Sequence, residues 1–244
     1  MTKPYAPACD RNKEVLFSQL EPYLREQKQV LEIASGTGQH GVYFAEKMPD
    51  ITWQMSDLAE NHRGINAWVV DSQLDNVLPA LTLDVNNSDW PITDAASFIF
   101  TANSLHIMAW SSVEQFFRGI KKHLKAEGLL AIYGPFNYQG QYTSASNADF
   151  DQWLKQQSVY SGIRDFEAVA ALAESAALIL KDNHYLISIG DITLMSDSIL
   201  DLASKSETTR KIIGEKNRMN IKANYSLDNI LEQYVNLYRD LKCN

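Results

Sequence analysis

Along the first three quarters of the chain, short apolar runs of strand length alternate with segments whose apolar residues recur at helical spacing. The runs fall at residues 30–34, 51–55, 81–83, 97–101 and 129–133. Between them, Ile65, Trp68 and Val69, and then Val113, Phe116, Phe117, Ile120 and Leu124, each mark the buried face of a helix. The run at 97–101 is apolar throughout its centre, the pattern of a strand covered on both sides. Strands alternating with helices in this way predict an α/β fold: a mostly parallel, doubly wound, Rossmann-like sheet. Before the first strand, a helix over 13–27 is predicted, with Val15, Leu16, Leu20 and Leu24 on its stripe and Pro22 kinking or dividing it. Asp10 or Asn12 stands where it would cap that helix, and residues 1–12, with Pro4 and Pro7, read as an extended arm. Ser111-x-x-Glu114 has the form of a capping box. Lys121, Lys122 and Lys125 suit the end of the same helix, which Gly128 follows. Two more helices are expected at 148–157 and 165–176, after a loop at 134–144 whose aromatic and hydroxyl side chains suit a lid or a substrate wall.

The most informative interruption of this pattern is the first. The run 30–34 breaks at Gly36 and Gly38 and resumes as a helix-like segment at His40. A strand, a glycine turn and a helix form half of a βαβ unit. The glycines let a ligand lie against the main chain, and the helix start offers unpaired N–H groups to an anionic group. Gly36-x-Gly38-x-x-Gly41 fits a dinucleotide fingerprint, but Glu32 lies inside the strand, where such a fingerprint runs apolar. The pattern Glu32-x-Ala34-x-Gly36-x-Gly38 resembles instead the first motif of class I S-adenosylmethionine (SAM) methyltransferases. That resemblance implies that the strand carboxylate of Glu32 and the loop from Ala34 and Ser35 to Gly38 frame the methionine part of the cofactor.

Further candidates sit at the ends of the other strands. Asp57 lies 19 positions after Gly38, where a doubly wound fold grips ribose hydroxyls; the bland alternative is a cap for the helix that follows, and the two are compatible. Asp84 and Val85 follow the third strand, and the SAM-enzyme resemblance implies that they hold adenine by its amino group and its ring face. The fourth strand ends in Ala102-Asn103-Ser104-Leu105-His106, at the end of a central strand where open α/β sheets place their chemistry. His106 is therefore the candidate base or orienting group, with Tyr133 and Tyr142 behind it, or else a histidine that merely bonds its own loop. Arg164 is a candidate to pair with an acid or anchor a substrate carboxylate.

Charge narrows the partners. The chain of 244 residues has a net charge of −8, but residues 1–200 carry −10 and residues 201–244 carry +2. An acidic body attracts neither nucleic acid nor an anionic membrane, so a small-molecule acceptor is expected, with no nucleic acid and no membrane. Cys9 and Cys243 make no zinc spacing, no His-x-x-x-His pair occurs, and no metal is expected. No 18-residue apolar run and no secretory leader are visible, which makes cytoplasm the expected location.

Five stretches together resemble one family: residues 6–12, 31–40 and 102–107, Tyr133-Gly134-Pro135-Phe136, and Gly162-Ile163-Arg164-Asp165. It is the class I SAM-dependent methyltransferase-like family long filed as a domain of unknown function, which includes methyltransferase-like protein 26. The resemblance covers about residues 4–180. It implies SAM as cofactor, with Arg11, Asn12 and Asn103 beside the glycine loop in the cofactor pocket, and no stated acceptor. The domain is expected to span 1–181. Residues 182–244 read as a helical, basic extension, of which 184–242 resemble the closing segment of a group 1 GT-B glycosyltransferase; that segment carries no catalytic residue. Its apolar stripe from Leu227 to Leu241 needs a partner, either a sheet edge or a second copy in a homodimer. The expected function is methyl transfer to a small or medium acceptor; a nicotinamide-dependent oxidoreductase and a non-catalytic SAM-binding or interaction protein are the alternatives.

Overall fold

The computed structural model describes residues 3–176 and 178. Helix α1 (Pro7–Leu24) leads into β1 (Gln29–Ile33), α2 (Gln39–Lys47) and β2 (Thr52–Asp57). A single 3₁₀ turn (Ala59–Asn61), α3 (His62–Ser72) and β3 (Val77–Thr82) complete the first half. The second half is β4 (Ala96–Ala102), α4 (Trp110–His123), β5 (Leu124–Tyr133), β6 (Phe136–Asn137), α5 (Ala145–Gln157), β7 (Arg164–Asp165) and α6 (Phe166–Ser175). Five strands form one sheet in the order β3-β2-β1-β4-β5, every pair parallel. This is the doubly wound architecture that the alternation predicts.

Strand alternation sorts the core into two layers. Val30, Trp53, Met55, Phe98 and Phe100 face one side with Leu16, Leu24, Phe44 and Ile65, under α1, α2 and α3. Leu31, Ile33 and Ile99 face the other, with Val113, Phe116, Phe117 and Ile120 of α4 and Val169 and Ala173 of α6. Phe44 is the hub of the first layer: its ring lies 5.5 Å from Trp53, 5.6 Å from Phe100 and 6.0 Å from Phe17.

Several local expectations shift. The first helix begins at Pro7, six residues before the predicted start. Proline is favoured in a first turn, where its missing N–H costs nothing, so neither Asp10 nor Asn12 caps. The helix continues through Pro22 only as far as Leu24, and Val15 of the expected stripe is exposed. Pro79 hides the start of β3 from a strand reading, yet β3 is an edge strand, where a residue without an N–H is tolerated. Helix α4 begins at Trp110 with Ala109 as its N-cap and no side-chain cap, so Ser111 and Glu114 form no capping box. The preceding turn, in which Ile107 and Met108 donate to the Ser104 carbonyl, delivers the helix start before Ser111 is reached. Gly128 lies inside β5, whose register breaks between Leu124 and Leu129. The segment 134–144 is partly ordered as strand, because Phe136–Asn137 pairs in parallel with Arg164–Asp165. The expected extension at 182–244, with its stripe and glycosyltransferase-like segment, lies outside the described residues.

Candidate functional site

The chain leaves β1 toward β2 and β3, then returns to the other side of β1 as β4. The crevice at the carboxyl ends of β1 and β4 is thus the switch point of the sheet, where this architecture binds ligands. The first residue after each of these strands, Ala34 and Asn103, holds a positive φ, 56° and 55°. Asparagine tolerates that conformation; for alanine it costs about 1 kcal/mol. Cross-strand bonds impose it. Ser35 N donates to Ser56 O at 3.0 Å, Asn103 N to Tyr133 O at 2.7 Å, and Thr101 Oγ1 to Ile33 O at 2.8 Å.

Gly36 and Gly38 follow, also at positive φ (60° and 86°). They face opposite ways. No atom lies within 4 Å of where a Gly36 Cβ would stand, whereas a Gly38 Cβ would press on Ile65 at 3.3 Å. The loop is therefore open at Gly36 and packed at Gly38. Gly41, the third glycine, lets α2 sit on the sheet: a Cβ there would meet Glu32 Oε2 and Met55 Sδ at 2.6 Å.

Asp57 ties this loop to the tip of β2. Its Oδ2 accepts from Gly36 N at 2.7 Å, and its Oδ1 from Leu58 N at 2.7 Å and Asn61 Nδ2 at 2.8 Å. Neither of those last two bonds is a helix cap: Leu58 and Asn61 stand at the N-cap positions of the 3₁₀ turn and of α3, so Asp57 braces the turn without capping it. Glu32 points to the α2 side of the sheet, is 2% exposed, and accepts from Trp53 Nε1 at 2.6 Å. Burial, reinforced by the charge of Asp57, pushes its carboxyl up to about 8 against the pull of the Trp53 bond. The carboxyl of Glu32 is consequently neutral at pH 7.

The amino-terminal segment crosses this loop. Ala6 N donates to Gln39 Oε1 at 2.6 Å, which also takes the Thr37 hydroxyl at 3.0 Å, and the Cys9 thiol is hydrogen-bonded to Thr37. Asn12 Oδ1 lies 2.7 Å from His40 Nε2. His40 is buried and stacked on Phe44 at 5.6 Å, and burial lowers its pKa to about 4. Farther along, Trp68 Nε1 donates to Pro4 O at 2.7 Å, and Lys3 lies over the Trp68 ring. Asn12 thus reaches the helix beneath the loop, whereas Arg11 is exposed. Asp84 is half-buried and closes its own turn, accepting at Oδ1 from Asn86 N and Nδ2 at 2.9 Å. Val85 is buried in the core layer that carries α4.

Beyond β4, the loop holding His106 is braced from behind. Arg164 Nε donates to Leu105 O at 3.0 Å, and its Nη2 donates to the carbonyls of Met108 and Tyr160. Arg164 is therefore spent on main-chain carbonyls, not on an acid or a substrate carboxylate. Its span of 56 or more residues to Leu105 and Met108 hides that role from any local pattern. His106 is 5% exposed, its carbonyl takes Gly162 N at 2.8 Å, and its ring meets Phe150 edge-on at 5.4 Å. Neither ring nitrogen is hydrogen-bonded to a described residue. Burial, helped by the Arg164 charge, lowers its pKa to about 4. Tyr133 is half-buried at the end of β5, beside Asn103. Tyr142 does not stand behind His106 as a bonded partner; its hydroxyl donates to Asp151 Oδ2 at 2.7 Å, which holds its pKa up. Gln39, Phe150 and Trp153 were missing from the sequence candidates. Gln39 and Phe150 carry no signal beyond their place in a helix, while Trp153 is an exposed tryptophan on a helix, a signal in its own right.

Among solved structures, the chain is similar to an O-methyltransferase family protein from Burkholderia thailandensis (16% identity, TM-score 0.59, covering 71% of this chain and 55% of that one). It is similar too to human N-acetylserotonin methyltransferase in complex with SAM (15%, 0.57, 69% and 46%) and to PigF with SAH (17%, 0.56, 69% and 52%). At these identities the likeness is one of fold, a Rossmann-like methyltransferase fold. The chain spans about half the length of these three proteins. Neither they nor the matched family lend support to the glycosyltransferase-like reading of 184–242. The family described as "Protein of unknown function (DUF938)" matches residues 3–187, three quarters of the sequence and the whole of the described fold, and the chain belongs to it.

Proposed function

We propose that this protein transfers a methyl group from SAM to a small or medium acceptor. The observation that carries the reading is the glycine loop at the switch point. It is open at Gly36, strained into shape at Ala34, and locked by Asp57 to the tip of the neighbouring strand. A cradle with room on its outer side fits a nucleoside laid against the main chain. In this reading residues 34–38 hold the methionine end, backed by Glu32, which lies buried under α2 against Trp53, Asp57 holds the ribose, and Asp84 with Val85 the adenine. Arg11, Asn12 and Asn103 border the pocket. Asp57 keeps lone pairs for a hydroxyl donor beside its bonds to the loop. When bound, the nucleoside supplies a sulfonium methyl, whose loss leaves a neutral thioether.

The chain's own contribution is alignment and proton handling. His106 stands beyond the end of the central strand with neither ring nitrogen bonded to a described residue, and it accepts the proton that the acceptor's heteroatom gives up. Burial keeps the ring neutral at pH 7, with one nitrogen free to accept, though as a weaker base than an exposed histidine. Tyr133 borders the same strand end. Supporting this direction, two of the similar solved structures are named as methyltransferases, one of them in complex with SAM, and PigF is described with SAH.

Calorimetric titration with SAM tests the proposal. The wild-type protein should bind SAM, and Asp57→Ala should weaken binding by about tenfold or more. Binding of NAD(H) with no response to SAM would replace this reading by the oxidoreductase alternative. SAM binding unchanged in Asp57→Ala would remove Asp57 from the site.

A further inference from the structure

The corner around His106 carries more apolar surface than its core needs. Phe150 meets His106 edge-on at 5.4 Å, and Trp153, one turn along α5, stacks on Phe150 at 5.8 Å with an interplanar angle of 12°. Helix α5 buries Asp151 and Leu154 on its inner side, so Trp153 is left 52% exposed. Ile107 (60%) and Tyr160 (69%) are exposed on the two segments that Arg164 and Ser161 bind together: Arg164 Nη2 donates to Tyr160 O, and Ser161 Oγ donates to Ile107 O at 2.9 Å. The cations that the described residues place in this corner are committed. Arg164 serves three carbonyls, and Lys155 pairs with Asp151 at 2.5 Å.

From this arrangement we infer that the row His106–Phe150–Trp153 is the acceptor subsite, and that the acceptor is an uncharged molecule with a flat, aromatic body. Its heteroatom lies at the His106 ring and its body along the two stacked rings. Three features select that class. Ring faces and edges reward a planar partner beyond plain burial. The ring nitrogen of neutral His106 that carries no proton asks for an O–H or N–H donor at one end of the row, beside the N–H of the other. An anionic body finds no uncommitted cation here among the described residues, within a protein already net negative, and would lose hydration without recompense. The inference rests on the proposed methyl transfer only for the name of the ligand, since the subsite stands on its own geometry.

The test uses the full chain and two probes with the same naphthalene body, neutral 2-naphthol and anionic 2-naphthoate, in equilibrium dialysis. The wild-type protein should bind 2-naphthol and bind 2-naphthoate at least tenfold more weakly. Trp153→Ala should weaken 2-naphthol binding about tenfold, and Trp153→Phe should restore most of it, which separates ring stacking from loss of fold. SAM affinity, measured on the same samples, should be unchanged in both variants. Equal binding of the two probes, or 2-naphthol binding that ignores Trp153→Ala, overturns the subsite. So does protection of Trp153 from acrylamide quenching in the free protein, read as the difference between wild type and Trp153→Phe, because the row would then be covered by the protein itself. If 2-naphthol binds as expected while SAM does not bind at all, the subsite stands and the methyl-transfer reading fails.

Discussion

On the β1–β2 side of the crevice, the polar side chains spend themselves on the protein. Asp57 accepts from the loop, the following turn and Asn61; Glu32 accepts from Trp53; Gln39 clasps Ala6 and Thr37; Asn12 meets His40. On the β4–β5 side the order is reversed. There the main chain is braced by Arg164 and Ser161 from outside, while the His106 ring and the α5 aromatics have no polar partner among the described residues. The first wall is shaped before any ligand arrives, as a cradle for one invariant cofactor should be. The second offers surface and one acceptor atom, as a site for a variable partner should. Preorganisation lowers the ordering cost of binding, and on this fold it is concentrated on one wall.

The sharpest way to break that contrast is Asp57→Ala. Three donors on the exposed residues Gly36, Leu58 and Asn61 would lose their acceptor, and each such hydrogen bond is worth about 0.5–1.5 kcal/mol net. Urea unfolding should show a loss of about 3 kcal/mol, far above the effect of Trp153→Ala on the other wall. Gly41→Ala should follow at about 2 kcal/mol, because its methyl group would enter the space of Glu32 Oε2 and Met55 Sδ and lift α2. A loss below 0.5 kcal/mol, the usual scatter of surface changes, would mean that the helix has slack there.

Glu32 gives a signed test against pH. Its folded pKa of about 8 lies above its ordinary 4.5, so between those values the native state holds the extra proton. Its contribution to stability is complete below 4.5 and is lost as pH rises through 8. His40 and His106 work the other way: with folded values of about 4 under an ordinary 6.5, their contributions are complete above 6.5 and are lost as pH falls through 4. From pH 6.5 to 8 only the Glu32 slope remains among these three. Wild-type stability should fall across it by about 1–2 kcal/mol. Glu32→Gln, which keeps an acceptor for Trp53 but does not titrate, should flatten it. A slope unchanged in Glu32→Gln would place the charge elsewhere. The smallest effect expected is that of Asn12→Ala, about 1 kcal/mol in unfolding from one lost hydrogen bond.

The same contrast explains what the sequence revealed. The parallel sheet was legible because period-2 and period-3.6 patterns are local, and Asp57 because its distance from Gly38 is fixed by one βαβ unit. Glu32 announced itself as a carboxyl inside an apolar run, though its partner Trp53 lies 21 residues away and no local rule names it. The start of α1 was missed because two prolines look alike in sequence, while only Pro7 occupies a first turn and Pro4 lies against Gly64 and Trp68. The second wall was least legible. His106 stood out by its place after β4, but the row that continues it comes from α5, brought in by contacts between segments more than 40 residues apart. Arg164 reads in sequence as a partner for an acid or an anchor for a substrate carboxylate, because an unpaired guanidinium in sequence shows nothing of the carbonyls it will meet.

The clasp of residues 3–12 over the glycine loop bears on tempo. Pro4, Ala6 and Asn12 are pinned at three separate points, to Trp68, Gln39 and His40. Were the proposed nucleoside to lie under that clasp, it would leave only when the pins release. Turnover would then be paced by an unlatching of the chain's own beginning, and Trp68, at the outermost pin, is the native fluorophore positioned to report each opening.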